Sequence, residues 1–204
     1  MLELEEISIT SPPEPFVLFD NWFDAAAKLE MAYAESMAVC SVDPQGRPSI
    51  RMVLLKDYSE DGFIFYTNLN SRKSKNLLNN PNTALLFYWE SLERQIRIEG
   101  VVLPVDSDVA DGYFRSRGRL SQAGARASKQ SEFLPNRAEL LARVDRVTHE
   151  FEGREIPRPD HWSGFLVQPR SIEFWQSKPN RLHERVVFER DDCFSPWRAQ
   201  RLYP

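Results

Sequence analysis

Residues 36–68 read SMAVCSVDPQGRPSIRMVLLKDYSEDGFIFYTN. Ser36–Val42 has the composition of a strand, and Asp43-Pro44-Gln45-Gly46 follows it with Pro second and Gly fourth, as a type I turn prefers. Ile50–Lys56 is the next expected strand, Asp57–Gly62 a second turn, and Phe63–Asn68 a third strand. Strands joined by turns this short form an antiparallel meander.

Working outward, Thr83–Trp89 and Arg94–Val105 are further expected strands. In the second of these Gln95, Arg97 and Glu99 alternate with Ile96, Ile98 and Gly100, which makes one face polar. The tail offers Gly164–Gln168, Ser171–Gln176, Arg185–Arg190 and Trp197–Tyr203. Helical patterns lie between and before them. Phe16 to about Glu35 carries an apolar stripe of Phe19, Trp22, Phe23, Ala26 and Leu29. Ser71–Asn79 opens with a capping serine, and Ser107–Arg117 reads as helical. Asn136–Phe151 has capping-box spacing at Asn136 and Glu139, a stripe of Leu140, Val144, Val147 and Phe151, and Gly153 to end it. The expected class is mainly β with peripheral helices (α+β), an antiparallel barrel. Residues 1–15, acidic and then Pro-rich, read as a mobile arm, and residues 16–204 as one domain; the connector Ile156-Pro157-Arg158-Pro159 is too short to separate two cores.

Composition narrows the function. The chain has 204 residues, 42% hydrophobic and 27% charged, with a net charge of −4, so no global field favours nucleic acid. Cys40 and Cys193 are far apart, and His149, His161 and His183 are scattered, which argues against a disulfide scaffold or a metal centre. No apolar run reaches the roughly 18 residues of a membrane span. The start Met1-Leu2-Glu3-Leu4-Glu5-Glu6 is unlike a signal peptide, so a cytoplasmic protein is expected.

Basic and hydroxyl residues gather in four places. Trp175–Arg185 contains Arg181, His183 and Arg185 at alternate positions, which on an extended backbone share one face. That face suits a planar anion, or else a charged edge strand. Ser71-Arg72-Lys73-Ser74-Lys75 opens a helix after a strand, a place where N–H groups and the helix dipole favour phosphate; a solvated basic helix end has the same sequence. Arg51-Met52-Val53-Leu54-Leu55-Lys56 brackets an apolar strand with two cations of opposite parity, which could share a ligand only if a bulge or the strand end re-aims one. Tyr113, Arg117 and Ser121 are spaced by four, with Gly118 interrupting, and Ser128-Lys129-Gln130-Ser131 follows. Glycine-rich phosphate loops are absent, so side chains must hold any phosphate.

In this order, with Phe65-Tyr66-Thr67-Asn68, Gln95, Ser121-Gln122, Glu173-Phe174-Trp175-Gln176 and Asn180-Arg181-Leu182-His183-Glu184-Arg185, the clusters resemble the pyridoxamine/pyridoxine 5′-phosphate oxidase family. The resemblance implies an FMN-binding split barrel and a homodimer with FMN at the interface. It implies FMN contacts from Arg51, Met52, Val53, Leu54, Leu55, Lys56, Tyr66, Thr67, Arg72, Lys73, Gln95, Gln130, Ser131, Trp175 and Arg185. The substrate phosphate would meet Lys56, Tyr113, Arg117 and Ser121, and the substrate ring Arg181, Leu182 and His183, with Arg181 and His183 catalytic and His183 a candidate proton acceptor. The implied reaction converts pyridoxine 5′-phosphate and pyridoxamine 5′-phosphate to pyridoxal 5′-phosphate with O2 as acceptor, giving H2O2. Two other readings stand beside it: a phenazine-biosynthesis flavin oxidase, which shares the Leu-His-Glu-Arg element, and a non-catalytic flavin or pyridoxal-phosphate binding module. The short acidic start departs from the basic N-terminal segment of many family members.

Overall fold

The computed structural model describes residues 4, 7, 8, 10–29 and 33–204. Helix α1 (Pro15–Leu29) leads into β1 (Ser36–Val42), β2 (Pro48–Leu54), β3 (Asp57–Ser59), β4 (Gly62–Asn68), α2 (Arg72–Asn79), β5 (Asn82–Trp89) and β6 (Arg94–Pro104). Three helices follow, α3 (Ser107–Ser116), α4 (Arg119–Ala127) and α5 (Arg137–Glu150), then β7 (Trp162–Gln176), β8 (Glu184–Glu189) and β9 (Arg198–Arg201). The sheet runs β2-β1-β5-β6-β7-β4-β3, with β8 added to β7 and β9 to β8. The meander expected over 36–68 is present only as β1–β2 and β3–β4 hairpins, because β4 pairs with β7 and not with β2.

Strand β7 sets the shape. One of its edges pairs with β6; the other pairs first with β4, from Trp162 to Val167, and then with β8, from Ser171 to Gln176. The two tail strands expected at 164–168 and 171–176 are therefore one strand, interrupted where the β6–β7 register slips between Glu99 and Gly100. Pro169 has no N–H for the ladder and sits at this bulge. Gly100 lies opposite, where an added Cβ would come 2.0 Å from the Gln168 carbonyl oxygen. Backbone approach requires glycine there.

The main core packs α1 into the curled sheet. Phe19, Trp22 and Ala26 are fully buried, and Phe19 makes edge contacts with Phe63 and Phe87 at 5.0 and 5.5 Å. Each such ring contributes roughly 1.5–3 kcal/mol by leaving water. The helix stops at Leu29, which is exposed, and Tyr33 already has φ 68°. So the expected continuation to Glu35 is wrong at its described end. Residues 4, 7, 8 and 10–15 of the stretch expected as an arm, 1–15, are described. Leu4 and Ile7 are buried in the core, and the Arg201 guanidinium donates to both of their carbonyls.

A smaller core, built on Phe114, Ala123, Ile156 and Trp162, lies under α3–α5, and Val144 and Val147 of α5, with Phe151 at its C-terminal cap, cover it as half-buried residues. Ser71 and Asn136 cap α2 and α5 as expected, accepting from the N–H of Ser74 and Glu139. Helix α4 was not expected: Gly118 ends the line from α3 but starts a new helix.

Candidate active site

A cavity of about 680 Å³ opens where β2, β4, α2, α3 and the α4–α5 loop meet. Arg51, Met52, Val53 and Leu54 face it from β2, Lys56 from just beyond, Tyr66 and Thr67 from β4, and Arg72 and Lys73 from the first turn of α2. Tyr113 and Arg117 reach it from α3 and its C-terminal cap, and Gln130 and Ser131 from the loop. The parity problem of Arg51 and Lys56 is solved by the strand end. β2 stops at Leu54, Leu55 turns into the core, and Lys56 returns to the cavity with its N–H on the Ile64 carbonyl. Leu55 therefore does not line the cavity, contrary to its place among the expected contacts.

Cations here are held by neutral groups. The Arg51 guanidinium donates to the Val39 carbonyl at 3.0 Å and to the hydroxyls of Ser41 and Ser49 at 2.9 and 2.7 Å. The Lys73 ammonium donates to Thr67 Oγ1, to Ser71 Oγ at 3.2 Å and to Gln130 Oε1 at 3.1 Å. Among the described residues no carboxylate pairs with Arg51, Arg72, Lys73 or Arg117; Lys56 alone faces one, Glu35, at 3.9 Å. Burial, reinforced by the Arg51 charge, pulls the Lys73 ammonium down to about 8 from an ordinary 10.5. Burial likewise lowers Arg51 and Arg117. An uncompensated buried cation is costly. It is the state expected of a site whose counter-charge is a ligand phosphate, and Thr67, Ser71 and Ser131 add hydroxyls suited to the same anion.

The floor is aromatic. Tyr66 stacks on Tyr113 at 4.0 Å and on Trp162 at 5.3 Å, nearly parallel to both. Tyr66 can lie flat because its antiparallel partner is Gly164, whose absent Cβ would stand 2.8 Å from the ring. Burial raises the phenols of Tyr66 and Tyr113.

The remaining expected residues form a second group outside this cavity. Register aligns Gln95, Trp175 and Arg185 in one row across β6, β7 and β8. His183 packs on Trp175 with centroids 4.6 Å apart. The shared face expected of Arg181, His183 and Arg185 does not form: Asn180 and Arg181 have φ of 59° and 62° in a tight turn, and extended backbone resumes only at Glu184. Arg181 and Leu182 are exposed. His183 Nδ1 accepts from the Lys178 N–H at 3.2 Å, so the neutral ring carries its proton on Nε2 and presents a donor. That disfavours the proton-acceptor reading in this geometry. Ser121 is exposed on α4 and does not line the cavity either.

Sequence reasoning missed Ser49 and Trp162, which do line the cavity. Trp162 opens a strand after the Pro-rich connector, and only the register with β4 reveals which face it takes.

Known proteins match this arrangement. Residues 23–151 match the family described as pyridoxamine 5′-phosphate oxidase, and residues 162–204 match the pyridoxine 5′-phosphate oxidase C-terminal dimerisation region. The chain belongs to the pyridoxamine 5′-phosphate oxidase family. Proteins named pyridoxine/pyridoxamine 5′-phosphate oxidase from Maricaulis maris and Sphingopyxis alaskensis are 51% and 52% identical over 94% of this chain, covering 86% and 88% of their own lengths. The crystal structure of PhzG from Burkholderia lata 383, in complex with tetrahydrophenazine-1-carboxylic acid, superposes with a TM-score of 0.89 at 29% identity, covering 96% of each chain. A pyridoxamine 5′-phosphate oxidase-related, FMN-binding protein from Nostoc punctiforme shares the fold, with a TM-score of 0.75 at 14% identity over 95% of this chain and 100% of its own. The fold is the split barrel of these proteins. No described helix is long and apolar enough to cross a membrane.

Proposed function

We propose that this protein oxidises pyridoxine 5′-phosphate and pyridoxamine 5′-phosphate to pyridoxal 5′-phosphate, using FMN, with O2 as acceptor and H2O2 as second product. The supporting observation is the pair of cationic constellations in one cavity. Arg51, Arg72 and Lys73, with Thr67 and Ser131, suit the FMN phosphate; Lys56, Tyr113 and Arg117 suit the substrate phosphate. Bound FMN would supply the hydride acceptor that no side chain here provides.

The chain's own part is placement. Two fixed phosphates would orient the substrate ring against the cofactor, turning an encounter into a positioned reaction. In the alcohol a hydride leaves C4′ and a proton leaves its hydroxyl; in the amine the resulting imine takes up water and releases ammonia. Arg181 and His183 would flank the ring, His183 as a donor through Nε2. Their group lies outside the cavity of its own chain, and most of it falls within residues matching a dimerisation region. β2 also exposes Ile50 and Met52 at the sheet edge. These facts support a homodimer in which one protomer's Gln95, Trp175, Arg181, Leu182, His183 and Arg185 close its partner's cavity over FMN. A cytoplasmic location fits the same reading.

The test is aerobic incubation of FMN-loaded protein with each substrate. Equal amounts of aldehyde and peroxide support the proposal. Flavin binding with no turnover favours a carrier module, and turnover of a phenazine precursor alone favours a PhzG-like activity.

A further inference from the structure

Arg117 is bound in an unusual way. Its Nη1 is buried with no hydrogen-bond partner, and among the described residues its guanidinium has no ion pair. Two aromatic faces hold it instead: Trp162, 4.7 Å from the guanidinium carbon to the ring centroid, and Phe114, at 5.8 Å. Cations at these distances are attracted by the ring quadrupole. A carboxylate in the same place would cancel the charge and occupy the donors; a π face does neither.

We infer that Trp162 is a positioning residue for the substrate phosphate: its indole fixes the Arg117 guanidinium while leaving the donors free for a phosphomonoester. The inference rests on the proposed function for the ligand's identity. Trp162 is itself firmly set. It pairs with Asn68 across β4–β7, its N–H donates to the Pro159 carbonyl at 2.9 Å, and its carbonyl accepts from Arg158 at 2.8 Å. Arg158 also pairs with Asp111 on α3, the helix that carries Tyr113 and is capped by Arg117. The indole and its cation are thus tied to one another through the Arg158 side chain as well as through the ring.

The test uses FMN-loaded protein, so that the remaining anion site is the one read. Inorganic phosphate is titrated by 31P NMR, and KM, kcat and FMN affinity are measured for Trp162→Leu and Trp162→Phe, each also in an Arg117→Ala background. Trp162→Leu is expected to raise the phosphate dissociation constant and the KM for pyridoxine 5′-phosphate about tenfold, with kcat and FMN affinity changing less than about threefold. Trp162→Phe keeps an aromatic face and should recover most of the loss. In the Arg117→Ala background Trp162→Leu should add almost nothing. If Trp162→Leu does not fold, Trp162→Met gives the same reading. Unchanged phosphate affinity in the Leu or Met variant, or the same loss with and without Arg117, would overturn the inference. A wild type that binds phosphate yet oxidises neither substrate would remove the proposed activity and leave the role of Trp162 to be decided by the titration alone.

Discussion

Two arginine-rich regions of this molecule manage charge in opposite ways. In the cavity, Arg51 and Lys73 rest on hydroxyls, an amide and a carbonyl, and Arg117 on aromatic faces. On the β6–β7–β8 face, Arg97 and Arg185 share the buried carboxylate of Glu173, at 2.9 and 2.7 Å, and Arg185 also donates to the Tyr203 carbonyl. Glu173 and its bonds hold Arg185 above its already high ordinary value, whereas burial lowers Arg51, Lys73 and Arg117. The first region leaves Arg51, Lys73 and Arg117 without a carboxylate partner among the described residues; the second pairs its guanidiniums within the sheet and presents a row of oriented side chains.

The largest effect is expected at Arg181, which has no ion pair among the described residues and stands at a positive-φ turn. Arg181→Ala should lower kcat by about 100-fold, the scale of losing substrate alignment, while FMN stays bound. Loss of FMN with normal activity per bound flavin would put Arg181 in the cofactor site instead.

Next in size is Lys73→Ala, which should weaken FMN by roughly 30-fold, the worth of a charge-assisted hydrogen bond. Flavin fluorescence quenching reads the dissociation constant, and an unchanged value contradicts the assignment.

The pH dependence sharpens the same point. Lys73 in the unliganded fold titrates near 8, and only its ammonium form attracts phosphate. FMN affinity should therefore be flat just below pH 8 and fall up to about tenfold per unit above it, until the raised value in the complex is reached. For the unliganded protein the sign reverses. The unfolded chain holds this proton up to 10.5, so it binds more protons between about 8 and 10.5, and the destabilisation from burying the Lys73 charge is relieved as pH rises across that window.

The smallest effect belongs to the neutralised region. Glu173→Ala leaves Arg97 with Glu99 and Arg185 with only the Tyr203 carbonyl, and should cost about 1 kcal/mol in urea unfolding, less than a fully buried pair. A larger loss of FMN affinity than of stability would show that Glu173 serves the cofactor directly.

These contrasts explain what the sequence could reveal. Local signals were sufficient for the Asp43–Gly46 turn, the Ser71 and Asn136 caps and the polar row of β6, because each depends on neighbours a few residues away. The cationic clusters were visible as residue types. Their neutral partners were not: Ser49 reaches Arg51 within one strand, but Ser41 lies across the hairpin, and Trp162 meets Arg117 across the fold. The alternation at Arg181, His183 and Arg185 misled because the Pro179–Arg181 turn breaks the extended backbone on which the period depends. Leu55 leaves the cavity side for a related reason, since the end of β2 rotates it into the core.

We propose that the uncompensated cations of the cavity hold two phosphates, one from FMN and one from the substrate. The most direct test compares kcat/KM of the FMN-loaded protein for pyridoxine 5′-phosphate and for pyridoxine. The phosphate ester should be preferred by at least about 100-fold, through charge-assisted hydrogen bonds from Lys56, Tyr113 and Arg117. Equal values for the two compounds would contradict it.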